Sequence, residues 1–494
     1  MPFLSLASIW LDLLNHLPTI LTSGYVITMI FISVTVIMEN RSPHRAISWI
    51  VVLALIPVGG VILYLFFGQT YRKQKIFSRK GLKNGLEHLN KLAKQQLVMV
   101  KKMSFNNERS IKGKKHLMKL LLNNSSALIT DNNQVKLLHN GDQTFAHIIQ
   151  ALEQARHHIH LEYYIIEDDK IGKIIKNLLI TKAIQGVQVR VIFDDVGSWG
   201  ISKRFKKELK QNGVEIRAFM PVSFPWFTSR VNYRNHRKII VVDGQIGFLG
   251  GLNIADRYID GIPGIGSWRD THVQIKGDAV ATIQMQFISH WYFCSEQLLP
   301  LDEYIIDNPP SQGVVTQISA SGPDSDWESI SQAYFTAIST ANRSVFIATP
   351  YFMPTADILT AIKTAAMKGV DIRLLIPEKS DTVIPKWCTE SYIEELLEAG
   401  VRVFRFKNGF YHSKLMMVDG VWSSVGTANM DFRSLETNFE INAFFYNRAI
   451  YKELASRFIQ DLSRSVEIEI KQWQKRPLLK KLKASFARLF SPLM

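Results

Sequence analysis

One short pattern of residues occurs twice in this chain and constrains its architecture more than any other feature. The first copy is His236-x-Lys238-x4-Asp243, followed by Gly250, Gly251 and Asn253, and the second is His412-x-Lys414-x4-Asp419, followed by Gly426 and Asn429. In both copies seven positions separate His from Asp and seventeen separate His from Asn. A single short motif is weak evidence, but a matched pair predicts two related halves that build one composite site.

The residue types in the two copies indicate chemistry on a phosphodiester. Each motif lies in an apolar run that is typical of a strand, where residues i and i+2 point to the same face. Each copy therefore presents an imidazole beside an ammonium group. One imidazole can attack phosphorus while the other carries a proton, and the ammonium and amide groups can stabilise the phosphate oxygens. We expect no metal ion, and place Lys238, Asn253, Lys414 and Asn429 at the phosphate.

The repetition extends beyond the motifs and predicts the fold class. Residues Gly186–Phe193 are echoed by Gly369–Ile376, and Gly213–Arg217 by Gly400–Phe404. Helix-like segments alternate with short β-branched runs in each half, a pattern of α/β layers around a buried sheet. Repetition of this length indicates duplication. We predict two α/β/α sandwiches related by a pseudo-twofold axis, at 131–310 and 311–465.

The two motifs resemble the duplicated HxKxxxxD signature of the phospholipase D superfamily, over about Gln134 to Asn447. Three flanking segments resemble bacterial cardiolipin synthases specifically: Glu39-Asn40-Arg41-Ser42-Pro43, Trp268-Arg269-Asp270-Thr271-His272 and Asn438-Phe439-Glu440-Ile441-Asn442. The second copy carries Gly426-Thr427 in place of Gly-Gly. The resemblance implies two phospholipase D-like halves that share one active site. It also implies a cofactor-free transfer of a phosphatidyl group between two phosphatidylglycerol molecules, with release of glycerol.

The same resemblance implies roles for individual residues. His236 would be the nucleophile that forms a phosphatidyl-histidine and His412 the general acid, although the reverse assignment stays open. Asp270 and Glu440 match the carboxylates that hold the far nitrogen of each imidazole; a surface ion pair with Arg269 is the alternative for Asp270. We expect Asp243 and Asp419, which complete the motifs, to support the fold more than the chemistry. Gly250, Gly251 and Gly426 would allow close backbone approach.

The N-terminal part of the chain predicts a membrane anchor over 1–70. The segments 17–38 and 46–68 contain no charged residue, and each is long enough for a bilayer, which needs about 20 residues. We predict a hairpin of two spans; a pair of buried core helices is the alternative. Six basic residues and no acidic one occur from Arg72 to Lys83. This flank predicts a multi-pass protein of the bacterial plasma membrane with cytoplasmic catalytic halves, joined by a basic linker or tether over 71–130.

Charge and cysteine content agree with this reading. The net charge of +16 favours an anionic partner, here phosphatidylglycerol and other anionic lipids rather than nucleic acid, because much of the excess flanks the membrane segments. Two cysteines, Cys294 and Cys388, provide no disulfide framework. Residues 466–494 predict a basic amphipathic helix that starts near Pro477 and lies on an anionic membrane, or a helix docked on the protein. Its apolar face would carry Leu478, Leu479, Leu482, Phe486, Leu489 and Phe490.

Three other functions share parts of this pattern. A hydrolytic phospholipase D would have the same site with water as the acceptor. A membrane-tethered nuclease of the same superfamily would suit the positive charge. A non-catalytic binding protein would not need intact His and Lys in both motifs, which argues against it. The paired apolar segments and the flanking sequences favour the synthase.

Overall fold

The computed structural model describes residues 3–39, 43–56, 59–64, 91–97, 113–222, 232–306 and 313–493. The contacts of the chain divide it into two compact units. One unit contains Met1–Lys75 with Ser223–Asn232, and the other contains Ile76–Val222 with Tyr233–Met494.

The N-terminal unit is helical. It contains α1 (Phe3–Glu39), α2 (Pro43–Leu55) and α3 (Gly59–Leu63). The helices α1 and α2 pack side by side through Ile32, Val36 and Leu53. In the part of the chain that the structure describes, His16–Met38 is the one helix with the length and apolarity of a membrane span.

The second predicted span, 46–68, differs from expectation over the residues that the structure describes, because α2 ends at Leu55 and Ile56 is not helical. The span is divided between α2, of 13 residues, and α3, of 5 residues. The sequence gives a physical reason in Pro57, which lacks an amide hydrogen and disfavours helix at the preceding residue. The two-span hairpin is therefore not confirmed.

Two mixed sheets organise the larger unit. The first sheet has the strand order β1-β8-β6-β5-β2-β3-β4. Its three strands β2, β3 and β4 are parallel, and the remaining neighbours are antiparallel. The bounds are β1 Asn133–His139, β2 His158–Tyr163, β3 Gln188–Asp194, β4 Glu215–Phe219, β5 Lys238–Val242, β6 Ile246–Gly250 and β8 Thr271–Gly277.

The second sheet repeats this arrangement strand for strand. Its order is β19-β13-β12-β10-β15-β16-β18-β9, so that β13 to β9 match β4 to β1 in position and direction. The predicted duplication is thus confirmed in the topology, with β19 added at one edge. The bounds are β9 Thr316–Ser321, β10 Ser344–Ala348, β12 Asp371–Pro377, β13 Arg402–Phe406, β15 Leu415–Val418, β16 Trp422–Gly426, β18 Glu440–Tyr446 and β19 Ser465–Glu467.

Helices cover both faces of each sheet, as an α/β/α architecture requires. The helix α9 packs on β2, β5, β6 and β8 of the first sheet, and α14 packs on β13, β15 and β16 of the second. The bounds are α4 Lys115–Ser125, α5 Asn140–Gln154, α6 Lys170–Ile184, α7 Lys203–Gln211, α8 Arg257–Asp260, α9 Ala279–Ser295, α10 Leu301–Tyr304, α11 Ser329–Ser339, α12 Ala356–Met367, α13 Val383–Glu398, α14 Arg448–Leu462, α15 Ile470–Gln474 and α16 Leu478–Arg488.

One hydrophobic cluster joins the two halves. It contains Val241 and Val273 from the first sheet together with Met417 and Phe445 from the second. Each half also has its own cluster between its sheet and its outer helices. The halves therefore share a core, which brings the ends of β5 and β15 to a common seam.

The predicted linker over 71–130 is partly wrong. Within it, α4 packs against α11 and β9 and buries Leu117, Met118 and Leu121. These three side chains recur at helical spacing, and this short apolar stripe belongs to the folded second half. Residues 91–97 are helical, and the rest of the predicted linker before Gly113 lies outside the described residues.

Candidate active site

Both motifs lie at the seam, just before a central strand of each sheet. Lys238 is the first residue of β5, and Lys414 immediately precedes β15. The two histidines, predicted to lie on the strands, occupy the extended segments that lead into them. Each imidazole still lies two positions before its lysine on extended chain, so the predicted pairing on one face is retained.

Backbone pairing across the seam positions each histidine. The His236 amide donates to the Phe439 carbonyl over 3.0 Å, next to a parallel bridge between Asn235 and Phe439. In the other copy the His412 amide donates to the Arg269 carbonyl over 2.8 Å. That bond continues a short parallel pair of β7 (Trp268–Arg269) with β14 (Phe410–Tyr411). Each histidine therefore pairs through its backbone with the residue just before a carboxylate of the opposite half, Glu440 for His236 and Asp270 for His412.

Each imidazole is bound to the carboxylate of the other half. His236 Nδ1 lies 2.9 Å from Glu440 Oε1, and His412 Nδ1 lies 2.7 Å from Asp270 Oδ2. Because a carboxylate only accepts, Nδ1 carries the proton and Nε2 of the neutral ring keeps its lone pair. Both carboxylates are fully buried, which fixes the orientation of the rings. The crossed pairing means that neither half contains a complete site.

The two lysines lie beside their imidazoles. Lys414 Nζ is 3.0 Å from Nε2 of His412, and Lys238 Nζ donates to the His236 carbonyl over 2.6 Å. Lys238 Nζ also lies 5.2 Å from the ring centroid of Tyr164, whose ring is 5.0 Å from that of His236. Lys414 also acts electrostatically on His236, and Lys238 acts on His412, so two ammonium groups and two imidazoles lie close together in one buried place.

Burial dominates the acid–base properties of the site. It lowers the pKa of His236 to about 4, with Glu440 opposing and Lys238 adding to the effect. Burial and the Lys414 ammonium lower the pKa of His412 to about 3, and burial lowers the pKa of Lys414 to about 8. Both rings are neutral at pH 7 in the free protein. The negative charge of a phosphodiester would raise these pKa values, because it favours the protonated rings.

The carboxylates stay ionised despite their burial. Burial raises the pKa of Glu440, but the His236 ring and the Lys238 ammonium outweigh it and bring the pKa below its usual value. For Asp270, the His412 ring and Lys414 likewise outweigh burial and lower the pKa. The expected alternative for Asp270, a surface ion pair with Arg269, is not what the structure contains, since the Arg269 side chain pairs with Asp461 over 2.9 Å.

The two asparagines, Asn253 and Asn429, are buried, and their side chains already make hydrogen bonds within the protein. Asn253 Nδ2 donates to the Tyr258 hydroxyl over 2.5 Å, while Asn253 Oδ1 accepts from the Ile165 amide over 3.1 Å. Asn429 Nδ2 donates to Asp431 Oδ2 over 2.9 Å. An amide nitrogen carries two hydrogens, so these bonds leave one amide hydrogen of each asparagine unused.

The aspartates that complete the motifs lie at the far ends of β5 and β15. Asp243 accepts from the amides of Arg156, His157 and His158 at 2.8 to 2.9 Å. Asp419 accepts from Arg343 N over 2.8 Å and from Lys114 Nζ over 2.9 Å. Both have a left-handed backbone, with φ of 53° and 56°. Their carboxylates organise the turns that lead into β2 and β10.

The glycines provide space for the carboxylate side of the site. A Cβ at Gly251 would lie 2.3 Å from Asp270 Oδ1, and one at Gly426 would lie 2.2 Å from Asn442 Oδ1. In Gly250 the φ of 159° is nearly extended, and a Cβ would lie 2.4 Å from His272 Nδ1. The predicted close approach is present at all three, although the nearest neighbour is a side chain.

Sequence reasoning missed several residues of the site. Thr427 Oγ1 donates to Glu440 Oε2 over 2.5 Å, whereas its counterpart Gly251 lies against Asp270. Behind His236, Glu162 accepts from Asn235 Nδ2 and bonds to His290 Nδ1, both at 2.7 Å. A carboxylate between Leu161 and Tyr163 in strand β2 was a usable signal for this network, because buried charges are normally paired.

No group of three or more His, Cys, Asp and Glu residues is placed to hold a metal ion in residues 3–39, 43–56, 59–64, 91–97, 113–222, 232–306 and 313–493.

Comparison with known families agrees with the geometry. The family described as "Cardiolipin synthase, PLD-like domain" matches residues 148–291 and 334–462, which contain both motifs and both carboxylates. The chain belongs to the cardiolipin synthase family. A second family, "Phospholipase D-nuclease N-terminal", matches residues 27–69 of this family member, in the N-terminal helical unit.

Individual relatives of this cardiolipin synthase family member are similar over almost their whole length. A cardiolipin synthase of Geobacillus sp. is 43% identical over 94% of this chain and 92% of the relative. The major cardiolipin synthase ClsA of Bacillus subtilis is 41% identical over 96% of this chain and 99% of the relative. Among solved structures, phosphatidylserine synthase of Haemophilus influenzae has a TM-score of 0.58 at 16% identity, covering 77% of this chain and 100% of that one. That likeness supports the fold alone.

Proposed function

We propose that the chain transfers a phosphatidyl group from one phosphatidylglycerol to a hydroxyl of a second, giving cardiolipin and glycerol through a phosphohistidine intermediate. Membership of the cardiolipin synthase family supports a phosphatidyltransferase of the phospholipase D type. The observation that carries the mechanism is the crossed pairing, in which Glu440 and Asp270 hold the Nδ1 atoms of His236 and His412. Nε2 is thereby the ring atom left to act at phosphorus in each histidine, with Lys414 Nζ 3.0 Å from that of His412.

The proposed reaction consists of two displacements at phosphorus. In the first, His412 has taken up a second proton at Nε2 on binding of the anionic phosphate; His236 Nε2 forms a bond to phosphorus, the bond to the glycerol oxygen breaks, and His412 Nε2 donates that proton to the oxygen. In the second, His412 takes a proton from the hydroxyl of the incoming phosphatidylglycerol, whose oxygen attacks phosphorus and releases His236. The pseudo-twofold arrangement leaves the reverse assignment of the histidines open to experiment.

Four donors would hold the phosphate through both steps. Lys238 and Lys414 supply positive charge where negative charge develops, and burial makes that charge more effective than in water. Asn253 and Asn429 would each contribute the remaining amide hydrogen. Because the donors are fixed before the substrate arrives, little reorganisation is needed in the transition state.

The N-terminal unit and the family support a membrane location. The apolar helix His16–Met38 and the N-terminal family match favour membrane association. Beyond that we propose the plasma membrane of a bacterium, a multi-pass anchor and cytoplasmic catalytic halves, on the basis of the basic flank from Arg72 to Lys83. Thiol labelling of cysteines introduced near Lys83 in intact cells tests the orientation. Labelling by an impermeant reagent would contradict it.

The decisive experiment is product analysis with labelled phosphatidylglycerol in EDTA. The detergent-solubilised chain should produce cardiolipin and glycerol in equal amounts. Phosphatidic acid alone would identify a hydrolase, and cleavage of DNA without lipid turnover would identify a nuclease. His236→Ala and His412→Ala should each lose at least about 10³-fold in rate. His147→Ala, in α5 and away from the seam, is the matched control.

A further inference from the structure

The C-terminal helix α16 has two faces with different environments. One face is docked on α13: Ala484 and Ala487 are buried, and Arg488 pairs with Glu395 over 2.7 Å. The other face is apolar and exposed, and its side chains are 40 to 72% accessible: Leu478, Leu479, Leu482, Phe486, Leu489 and Phe490. The docked alternative for this helix is therefore present, and the docked helix still has an uncovered apolar face.

The exposed face is bordered by positive charge. Seven basic residues and no acidic one occur from Lys471 to Phe490. Lys480 and Lys483 are exposed, and Lys483 Nζ lies 5.3 Å from the ring centroid of Trp387 on α13. An apolar stripe bordered by lysines complements the acyl boundary and the phosphates of an anionic lipid surface. A protein partner would have to match both the stripe and the charge.

The helix α13 links this face to the active site. Lys483 lies against Trp387 and Arg488 against Tyr392, whereas Arg476, just before α16, pairs with Glu394 over 3.8 Å, so α16 crosses α13. Val383 and Ile384, one turn before Trp387 on α13, are 60% and 49% exposed, so the start of α13 also carries an exposed apolar patch.

The start of α13 is itself close to the reacting groups. Asp381, two residues before the helix, accepts from the Tyr351 hydroxyl over 2.7 Å. The Tyr351 ring lies 6.4 Å from that of Phe410, which lies 5.6 Å from the imidazole of His412. The rings of Tyr351 and Phe410 therefore connect the start of α13 to His412.

We propose that α16 and the first turn of α13 form a membrane-docking face that binds an anionic lipid surface beside the mouth of the active site. The face would hold the site at the level of lipid headgroups, where a phosphodiester need not leave the bilayer to reach the histidines. The proposal deepens the proposed function, because it rests on a lipid substrate in a membrane.

Fluorescence quenching tests this contact without any turnover. A fluorophore is attached at Phe486→Cys in the full chain, with Cys294→Ala and Cys388→Ala, and at Ser456→Cys on exposed α14 as the matched control. In vesicles of phosphatidylglycerol with brominated acyl chains, quenching at 486 should exceed that at 456 by at least about threefold, and should weaken in phosphatidylcholine vesicles. Equal quenching at both sites would overturn the proposal. Shielding of 486 from a water-soluble quencher without quenching by lipid would show a protein cover and also overturn it.

Charge reversal separates docking from chemistry. Lys480→Glu, Lys481→Glu and Lys483→Glu together should lower turnover on vesicles about fivefold or more and leave turnover on detergent-dispersed phosphatidylglycerol unchanged. The matched control reverses three exposed lysines of α7, Lys203, Lys207 and Lys210. Equal losses in the two triple variants would contradict a specific face. If the chain proves inactive on every lipid, the quenching result still decides whether the face binds membranes.

Discussion

At the scale of single residues, the crossed carboxylates decide how the two imidazoles can act. Burial lowers the pKa values of His236 and His412, and the charges of Glu440 and Asp270 offset part of this effect by raising them. They also fix the tautomer by accepting from Nδ1. A change that keeps the shape of the carboxylate but removes its charge should therefore alter both the rate and its pH dependence.

Glu440→Gln should lower kcat by about 10²- to 10⁴-fold, because the amide can turn its NH₂ toward Nδ1 and select the wrong tautomer. Loss of the charge also lowers the pKa of His236 further. A nucleophile must be unprotonated, so the acidic limb of kcat/KM should move to lower pH. Because the pKa of His236 is already about 4, measurement of kcat/KM for phosphatidylglycerol has to extend from pH 8 down to about pH 3 to detect this shift.

Asp270→Asn is the matched variant and identifies the nucleophile. If His236 attacks, only Glu440→Gln moves the acidic limb to lower pH. A shift in Asp270→Asn alone would assign attack to His412. Movement of the limb to higher pH in either variant would contradict the proposed electrostatics.

The motif aspartates lead to a prediction about stability. Asp243→Ala removes an acceptor for three backbone amides and places alanine at a φ of 53°, so unfolding should become easier by about 2 kcal/mol or more. Asp243→Asn keeps an acceptor and tolerates the left-handed backbone, so its cost should be smaller. Thermal unfolding in detergent measures whether Asp243→Ala is less stable than Asp243→Asn. A large loss of kcat in Asp243→Asn at unchanged stability would instead indicate a role in the chemistry.

The sequence could supply the identities of the site residues but not their partners. The duplicated spacing predicted the convergence of both motifs, and the resemblance supplied Asp270 and Glu440. Glu440 lies 204 positions from His236, and Asp270 lies 142 positions from His412. At such separations no periodicity reports contact, so the crossing of the pairs required the structure.

At the scale of the elements, the residue after β6 and the Asp270 carboxylate just before β8 lie so close together that the residue after β6 has no space for a side chain. Gly251, just after β6, lies against Asp270, and in the second half Thr427 donates to Glu440 instead. The carboxylate is therefore accommodated by a missing side chain in the first half and by a hydrogen bond in the second. This difference corresponds to the Gly-Gly and Gly-Thr pairs in the sequence.

Gly251→Ala should displace the Asp270 carboxylate, because its Cβ would lie 2.3 Å from Oδ1. A shift of the order of 1 Å should lower kcat by about 10²-fold. In an Asp270→Ala background the same change should cost little, since its steric partner is gone. Gly200→Ala, whose Cβ would have Glu167 Cγ at 3.7 Å, is the control. Additive losses in the double variant would contradict the steric explanation.

Element boundaries were the weaker part of the sequence analysis. The alternation of helices and strands was predicted correctly because it repeats. The helix α4 was assigned to a linker because its stripe of Leu117, Met118 and Leu121 is short and lies beside basic residues. The second span was predicted from apolarity alone, and apolarity does not reveal that a helix ends just before a proline.

At the scale of the whole molecule, the shared core makes the two halves one folding unit. Phe445 is fully buried in the cluster that also contains Val241 and Val273 of the first sheet. No sequence pattern predicted the shared core, because the strands of a buried sheet are apolar whether a helix or the other half of the protein covers them. Domains that meet through a small polar surface can unfold separately, but a common hydrophobic core couples them.

Two native cysteines can report that coupling, one in each half. Cys294 lies on α9 and Cys388 on α13, and burial raises the pKa of both thiols, that of Cys388 to about 12. A thiol with a raised pKa reacts slowly until the chain opens. The midpoints of urea-induced labelling at the two cysteines, followed by mass spectrometry, should coincide in the unmodified chain.

Phe445→Ala should then move both midpoints together. The cavity should cost about 3–5 kcal/mol, and the loss is transmitted to the first half because Phe445 packs in the core that both sheets line. Leu396→Ala, in the cluster confined to the second half, is the matched comparison, and cooperative unfolding predicts a joint shift there too. A shift at Cys388 with the midpoint of Cys294 unchanged would show that the halves unfold independently. In that case the crossed histidine–carboxylate pairs, rather than the common core, would be what holds the site together.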